Sequence, residues 1–434
     1  MFPLSAQELQ SAMTKLGINS IEDATIRQIC SLAGFLEDQA GEKMVHLEIG
    51  NPGLSANPLG VEAEREVLRR GIANQYPDIS GMPRLKENAS RFLKAFMDID
   101  VPAAGIIPSV GSMQGGYATM LLMSKRDKKK GTMLFINPGF PAQRYQAKIL
   151  GLKEASFDIY SYRGKALEAK LEEFFSKGNI TAILYGTPNN PAWINLTEEE
   201  LEIIGRLCTK YDVIAIEDLA YVGMDFRTNF GEPYKAPYVP TVAKYTDNFI
   251  LLVSASKIFS YAGQRIAVVC FSPKVAERES QDLADFFGMS GYLRAYVFGI
   301  MYALSSGAAH SAQYAMATML GAAADGRLNF VEDCREYETR GGRAKECFTS
   351  NGFHIIYAKD GEEPISDGFF FTAGYKDMSS AELQGELLRY GVAAISLPST
   401  GSEQNGLRVC VSMIKDDHEF DTLNERLAKF HAEH

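Results

Sequence analysis

Between residues 132 and 271 the chain repeats one pattern: a short wholly apolar run, a polar turn, then a stretch with apolar residues at helical spacing. The runs Thr132–Ile136, Ile180–Tyr185, Val213–Ile216, Phe249–Val253 and Ile266–Phe271 have no polar alternation, so each predicts a strand buried on both faces. Thr197–Tyr211 carries Leu201, Ile204 and Leu207 on one helical stripe and opens with a capping box of Thr197 and Glu200. Strands of this kind alternating with helices predict an α/β unit, a mostly parallel mixed sheet covered by helices on both faces.

Further along, the pattern changes. A long helix is expected roughly from Leu293 to Met319. Strands follow at Phe353–Tyr357, Gly368–Ala373, Val392–Ile395 and Leu407–Ser412, with a helix near Ser380–Tyr390. This suits a second, smaller α+β unit. A chain of 434 residues also exceeds the roughly 100–200 of a single domain.

Charge and composition exclude several classes. A net charge of −10 argues against non-specific nucleic-acid binding, which needs a basic surface. The basic run Lys125, Arg126, Lys128, Lys129 and Lys130 reads as a solvated turn between a helix and a strand. The start, Met1 to Ser5, lacks the basic-then-apolar pattern of a secretory signal. No apolar run approaches the roughly 18–20 residues needed to span a bilayer. The six cysteines form no CxxC pair and no dense framework, so they read as free thiols in a reducing cytoplasm. The six histidines show no metal-ligand spacing, and no metal is expected.

In an α/β sheet, ligands bind beyond the carboxyl ends of the strands, so the residues just after each strand matter most. Phe249–Val253 is followed by Ser254-Ala255-Ser256-Lys257, and Arg265 lies shortly beyond. Val213–Ile216 is followed by Glu217, Asp218 and then Tyr221. Ile180–Tyr185 is followed by Thr187-Pro188-Asn189-Asn190-Pro191. Earlier, Ser109-Val110-Gly111-Ser112-Met113-Gln114-Gly115 opens a helix. Singly, each has an ordinary reading: a lysine at a strand end as solvated charge, an Asp as a helix cap, Gly-Ser and Asn-Pro as turns. Together and in this order they read as one site.

The ordered set resembles the class I/II, fold-type-I pyridoxal-phosphate aminotransferases. It comprises Leu47-Glu48-Ile49-Gly50-Asn51-Pro52, Tyr76-Pro77-Asp78-Ile79-Ser80-Gly81, Gly111-Ser112-Met113-Gln114, Pro138-Gly139-Phe140, Asn189-Asn190-Pro191, Asp218-Leu219-Ala220-Tyr221, Ser254-Ala255-Ser256-Lys257, Gly263-Gln264-Arg265 and Gly406-Leu407-Arg408. The resemblance implies a large cofactor-binding domain over 60–300 and a small domain from 1–59 with 301–434. It also implies pyridoxal 5'-phosphate as cofactor, and Lys257 as the residue that joins the cofactor aldehyde through a Schiff base. Asp218 would pair with the pyridine nitrogen, Asn190 and Tyr221 with the ring's phenolic oxygen, and Phe140 would stack on the ring. The backbone of Ser112 and Met113, with Ser254, Ser256 and Arg265, would hold the phosphate. Tyr76 would reach the phosphate of a second subunit, which implies a homodimer with active sites at the interface. Arg408 would clamp the substrate α-carboxylate, with Gly50 giving close backbone approach and Asn190 alongside. Phe140 and Tyr76 also read as packing residues, and Arg408 as an internal ion-pair residue.

The implied reaction transfers an amino group from an L-amino acid to a 2-oxo acid in two half-reactions, part of amino acid metabolism. A C–S or β-elimination lyase on the same fold shares the early chemistry. A cofactor-binding regulator without turnover is a further reading, for which the residues before 47 are short and insufficiently basic. The sequence departs from the family pattern at Ala192-Trp193, where Thr-Gly is usual, at Ala267, where glycine is frequent, and at Leu397–Ser402, before Arg408. Arg294 is a candidate for binding an acidic substrate side chain.

Overall fold

Alternation inside each apolar run settles the architecture. Along Phe249–Ser254, Phe249, Leu251 and Val253 fall into one buried cluster, while Ile250 and Leu252 fall into another on the opposite face. Both faces of the pleat are apolar, so both must be covered. Each Leu or Ile buried this way contributes about 1.5–3 kcal/mol.

The computed structural model describes residues 2–434; Met1, part of the start read for a secretory signal, lies outside them. Seven strands build the large sheet: β1 (Ile106–Val110), β2 (Thr132–Asn137), β3 (Lys153–Asp158), β4 (Ile180–Gly186), β5 (Ile214–Asp218), β6 (Phe249–Ser254) and β7 (Ile266–Phe271). Their spatial order is β1-β7-β6-β5-β4-β2-β3. Neighbours are parallel except at β7, which runs antiparallel to both β1 and β6. Helix Gly111–Lys125 and the segment 292–304 cover one face. Helices Pro83–Met97, Ala166–Phe175, Glu198–Lys210 and His310–Ala324 cover the other. The capping box at Thr197 and Glu200 forms as the sequence predicts.

Two strands escape the apolar-run rule, and both lie at sheet edges. β1 contains Pro108, which an edge strand tolerates because it need not donate on its outer side. β3 begins with exposed Lys153 and Glu154. The helix expected over 293–319 is interrupted. It comprises Tyr292–Arg294, a wide turn over Ala295–Met301 and Tyr302–Leu304, and then breaks before His310–Ala324. Ser306 and Gly307 supply the break with φ of 53° and 114°, outside the right-handed region.

A second sheet contains β8 (Phe353–Ile355), β9 (Phe370–Tyr375), β10 (Ile395–Ser396) and β11 (Leu407–Cys410), antiparallel in the order β10-β11-β9-β8. Helices Glu336–Ser350 and Asp417–Glu433 pack on it through Phe348, Leu423 and Leu427. The N-terminal helices Ala6–Lys15 and Ile26–Ala40 bury Leu9, Met13, Leu32 and Leu36 with Leu388, Ala393 and Ile395. Val45–His46 pairs in parallel with Val392–Ala393. Helix His310–Ala324, placed by the sequence division with the C-terminal part, packs instead on helices Pro58–Arg69 and Pro83–Met97. Its apolar surface runs nearly all round, with Ala312, Ala315, Met316, Met319 and Leu320 buried, so it is sandwiched rather than laid on one surface. Among the described residues, no helix is long and apolar enough to cross a membrane.

Candidate active site

The parallel strands carry the site residues expected from the sequence out at one end. Asp218 is the last residue of β5, and Asn190 follows β4. Ser254 ends β6, where its hydroxyl accepts from the Ser256 N–H at 3.1 Å and donates to Ser256 Oγ at 2.9 Å. This tight cap turns the chain straight into the short helix Ala255–Ile258, which places Lys257 over the sheet edge. β1 turns into helix Gly111–Lys125 through Gly111 at φ 69°, where a β-carbon would lie 2.5 Å from Arg265 Nη2. Arg265 itself has φ 51° and donates to the Ala262 carbonyl at 2.8 Å. Gly111, Ser112, Met113 and Arg265 thus meet at one helix N-terminus, an arrangement suited to an anion.

The opposite wall comes from the start of the chain and from β11. Lys257 Nζ donates to the Gly50 carbonyl, and Arg408 Nη2 donates to the Glu48 carbonyl. Arg408 Nη1 also lies 3.5 Å from Asn190 Oδ1. A β-carbon on Gly50 would meet nothing nearer than Phe370 Cζ at 3.9 Å, so packing within the chain does not itself require glycine there. Arg408 is 1% exposed, and its Nε has no hydrogen-bond partner among the described residues.

Burial tunes the titrating groups. Desolvation, with smaller contributions from the Arg408 and Arg265 charges, lowers the Lys257 amine to about 8. Desolvation raises the Asp218 carboxyl to about 6, against donation from the Ala220 backbone and from Gln143. Asp218 Oδ2 accepts from Gln143 Nε2 at 2.7 Å, while the buried Oδ1 has no partner among the described residues. Burial holds the Tyr221 phenol well above its ordinary value, so it remains a hydroxyl donor. It also lowers Arg408, whose charge is offset in part by Glu48.

Phe140 stands half-buried at the N-cap of helix Pro141–Ile149, one turn before Gln143. The Met113 carbonyl faces the same helix, accepting from Gln146 Nε2 at 2.8 Å. The Leu397–Ser402 loop touches this wall too, since the Gly139 N–H donates to the Thr400 carbonyl at 3.0 Å. Two residues stand apart. Tyr76 is 93% exposed, and Arg294 lies exposed on the helix Tyr292–Arg294.

Sequence reasoning passes over several contributors. Gln143 gives no strand-end signal, because it reaches Asp218 from a helix. Phe369, just before β9, lies under Lys257 with Nζ 5.1 Å from its ring centroid, and Phe370 underlies the Arg408 guanidinium at 5.2 Å. The Tyr337 hydroxyl accepts from the Gly53 N–H at 3.1 Å and so steadies the segment beyond Gly50. These residues read as strand and helix core, and only tertiary packing brings them to the cleft.

A family model for aminotransferase class I and II matches residues 42–427. The chain belongs to the class I and II aminotransferases. Among its relatives, the glutamate-pyruvate aminotransferase AlaC of Escherichia coli is 28% identical over 52% of this chain and 53% of its own length. An aspartate aminotransferase of Pyrococcus horikoshii is 24% identical over 64% of each chain. The chain therefore spans between about half and two thirds of the length of these curated relatives. Among solved structures, a double mutant of Thermus thermophilus aspartate aminotransferase superposes with a TM-score of 0.75 at 17% identity, covering 99% of this chain and 100% of its own. An aminotransferase from Mycobacterium tuberculosis gives 0.75 at 17% identity, covering 94% and 96%. These likenesses establish the fold-type-I architecture of the family for this chain.

Proposed function

We propose that this class I/II chain is a pyridoxal-phosphate-dependent aminotransferase that takes the amino group of an L-amino acid and passes it to a 2-oxo acid. One observation carries the reading: a desolvated Lys257 amine and a buried Arg408 guanidinium are both tied to the backbone of residues 48–50, at the strand edge that also carries Asp218. Amine and guanidinium are what an amino acid engages at its reacting centre and its carboxylate.

The residues present fit the cofactor. Asp218 Oδ1 is a buried acceptor without a partner among the described residues, suited to a protonated pyridine nitrogen. Gly111 leaves beside Arg265 the space that a β-carbon would fill. Ser254, Ser256, Arg265 and the N–H groups of Ser112 and Met113 would hold the phosphate, Asn190 and Tyr221 the ring oxygen, and Phe140 a ring face. When bound, pyridoxal 5'-phosphate supplies an electron sink for the bond broken at the substrate Cα.

The chain's own groups supply the rest. Arg408 binds the α-carboxylate with its planar fork, a contact that an ammonium reproduces poorly. Lys257 Nζ, lowered to about 8, is neutral in a useful fraction near neutrality, and so accepts and returns the Cα proton. Phe369 and Phe370 keep water from the underside of both cations.

The active form in this proposal is a homodimer in the cytoplasm. Tyr76, too exposed to serve its own chain, reaches the neighbouring site. Exposed Leu59, Val61 and Leu68 on one helix, and Phe298, Tyr302 and Leu304 elsewhere, supply apolar surface for the contact. All six cysteines are free thiols, compatible with the reducing compartment this proposal assigns.

The test is turnover of L-alanine, L-aspartate and L-phenylalanine with 2-oxoglutarate by wild type and Lys257→Ala. The proposal expects glutamate formation by wild type with at least one donor and none by the variant. Release of pyruvate and ammonia from a cysteine conjugate without any oxo acid, in place of glutamate formation, would make the protein a lyase.

A further inference from the structure

Trp193 is the only tryptophan of the chain, is fully buried, and has a left-handed φ of 62°. Its Nε1–H is buried without a partner among the described residues. Gly368 faces it so closely that a β-carbon there would come within 2.2 Å of the indole. A strained backbone, an unpaired donor and a neighbour confined to glycine are all disfavoured, and a small residue at 193 would remove the last two.

The indole's contacts show what offsets these costs. Its ring meets the Tyr221 ring edge-on, with centroids 5.2 Å apart and planes at 72°. It lies nearly parallel to Phe369 at 6.5 Å and tilted to Phe370 at 6.0 Å. Those two phenylalanines underlie Lys257 and Arg408. The backbone N–H of residue 193, which any residue but proline would keep there, donates to the Asn189 carbonyl at 3.0 Å and closes the turn that carries Asn190. One side chain therefore backs Tyr221 directly and the supports of Lys257 and Arg408 at one remove.

We propose that Trp193 is a positioning residue whose indole ring sets the placement of the Tyr221 hydroxyl at the cofactor. The inference rests on the aminotransferase reading of Tyr221. Edge-to-face aromatic pairs have a preferred geometry. Removing the indole leaves Tyr221, among the described residues, only the rings of Phe369 at 5.4 Å and Phe370 at 5.5 Å, which the indole itself packs against, so all three gain room to tilt. A misplacement of about 1 Å at a reacting centre costs up to about a hundredfold in rate.

The experiment uses full-length Trp193→Phe, Trp193→Gly, Tyr221→Phe and the double variant Trp193→Gly/Tyr221→Phe, all loaded with pyridoxal 5'-phosphate and checked by thermal unfolding. Turnover is measured with whichever of L-alanine, L-aspartate or L-phenylalanine the wild type uses fastest, with 2-oxoglutarate as acceptor. The pH at which the bound cofactor's absorbance titrates is measured beside it. Trp193→Gly is expected to lower kcat about ten- to a hundredfold and to move the absorbance titration in the direction that Tyr221→Phe moves it. Trp193→Phe, which keeps an aromatic edge, stays close to wild type in both. The losses of Trp193→Gly and Tyr221→Phe do not multiply in the double variant, because one acts through the other. A folded Trp193→Gly with an unmoved titration, or losses that multiply fully, overturns the proposal. If Trp193→Gly does not fold, Trp193→Leu, which has bulk but no ring edge, carries the same expectation and the same refutation. A wild type that shows no cofactor absorbance rejects the aminotransferase reading itself, a different outcome from any of these.

Discussion

At the scale of single residues, the proposed chemistry centres on Lys257. Its amine falls from 10.5 to about 8 on folding, so the unfolded chain binds the extra proton across that interval. The apoprotein's stability therefore rises with pH between about 8 and 10.5, and the full cost of burying the charged form is present below 8. The neutral fraction grows about tenfold per pH unit below that point. The rate at which apoprotein takes up pyridoxal 5'-phosphate covalently is thus expected to climb with pH and level off near 8. A rate still climbing steadily towards pH 10 would show an unshifted lysine. At the proposed carboxylate clamp, Arg408→Lys loses the planar fork, and kcat/KM is expected to fall about 10- to 100-fold with the donor amino acid, as befits hydrogen bonds to a charged group. An unchanged kcat/KM would free Arg408 from that role. Lys257, Asp218 and Arg408 each read as ordinary alone and are singled out in the sequence only by their place in an ordered set that resembles the family; the fold brings all three to one cleft. Gln143, Phe369 and Tyr337 were not, because a glutamine on a helix or an aromatic beside a strand looks like any other.

The same contrast holds for whole elements. Buried central strands announce themselves as unbroken apolar runs, and all five runs read in the sequence became β2, β4, β5, β6 and β7. The edge strands β1 and β3 contact the sheet on one side only and need no such run, so composition hid them. Helical spacing continues on both sides of the short break at Ser306 and Gly307, so the sequence pattern alone does not reveal it. The turn from β1 into helix Gly111–Lys125 is where element geometry meets chemistry. Gly111→Ala places a methyl group 2.5 Å from Arg265 Nη2 in a left-handed backbone. The variant is expected to bind pyridoxal 5'-phosphate at least about tenfold more weakly, the equivalent of about 1.4 kcal/mol, while circular dichroism shows the fold intact. Equilibrium dialysis giving wild-type affinity would remove this turn from the phosphate site.

Across the whole molecule, the two sheets are held together by charged and polar ties as well as by the aromatic layer. Tyr357, just after β8, donates to buried Asp158 at the end of β3 at 2.6 Å and pairs with Ser402 at the same distance, so the Leu397–Ser402 loop is pinned to the large sheet. Asp360 stands between Arg163 and Arg227, with ion-pair distances of 3.4 and 2.8 Å, another tie of the same kind. Neither tie is visible in the sequence, since Tyr357 lies 199 positions from Asp158, and Asp360 lies 197 from Arg163 and 133 from Arg227. The exposed Tyr76 makes its own prediction at this scale: sedimentation should give twice the chain mass, and a monomer retaining full activity would rule out a shared site. The central claim is most directly tested by the absorbance of the cofactor-loaded protein during titration with single amino acids, followed by addition of a 2-oxo acid. The account predicts that at least one amino acid abolishes the lysine-bound cofactor band and that the oxo acid restores it. A band that no amino acid discharges, or that no oxo acid brings back, would contradict amino-group transfer at Lys257.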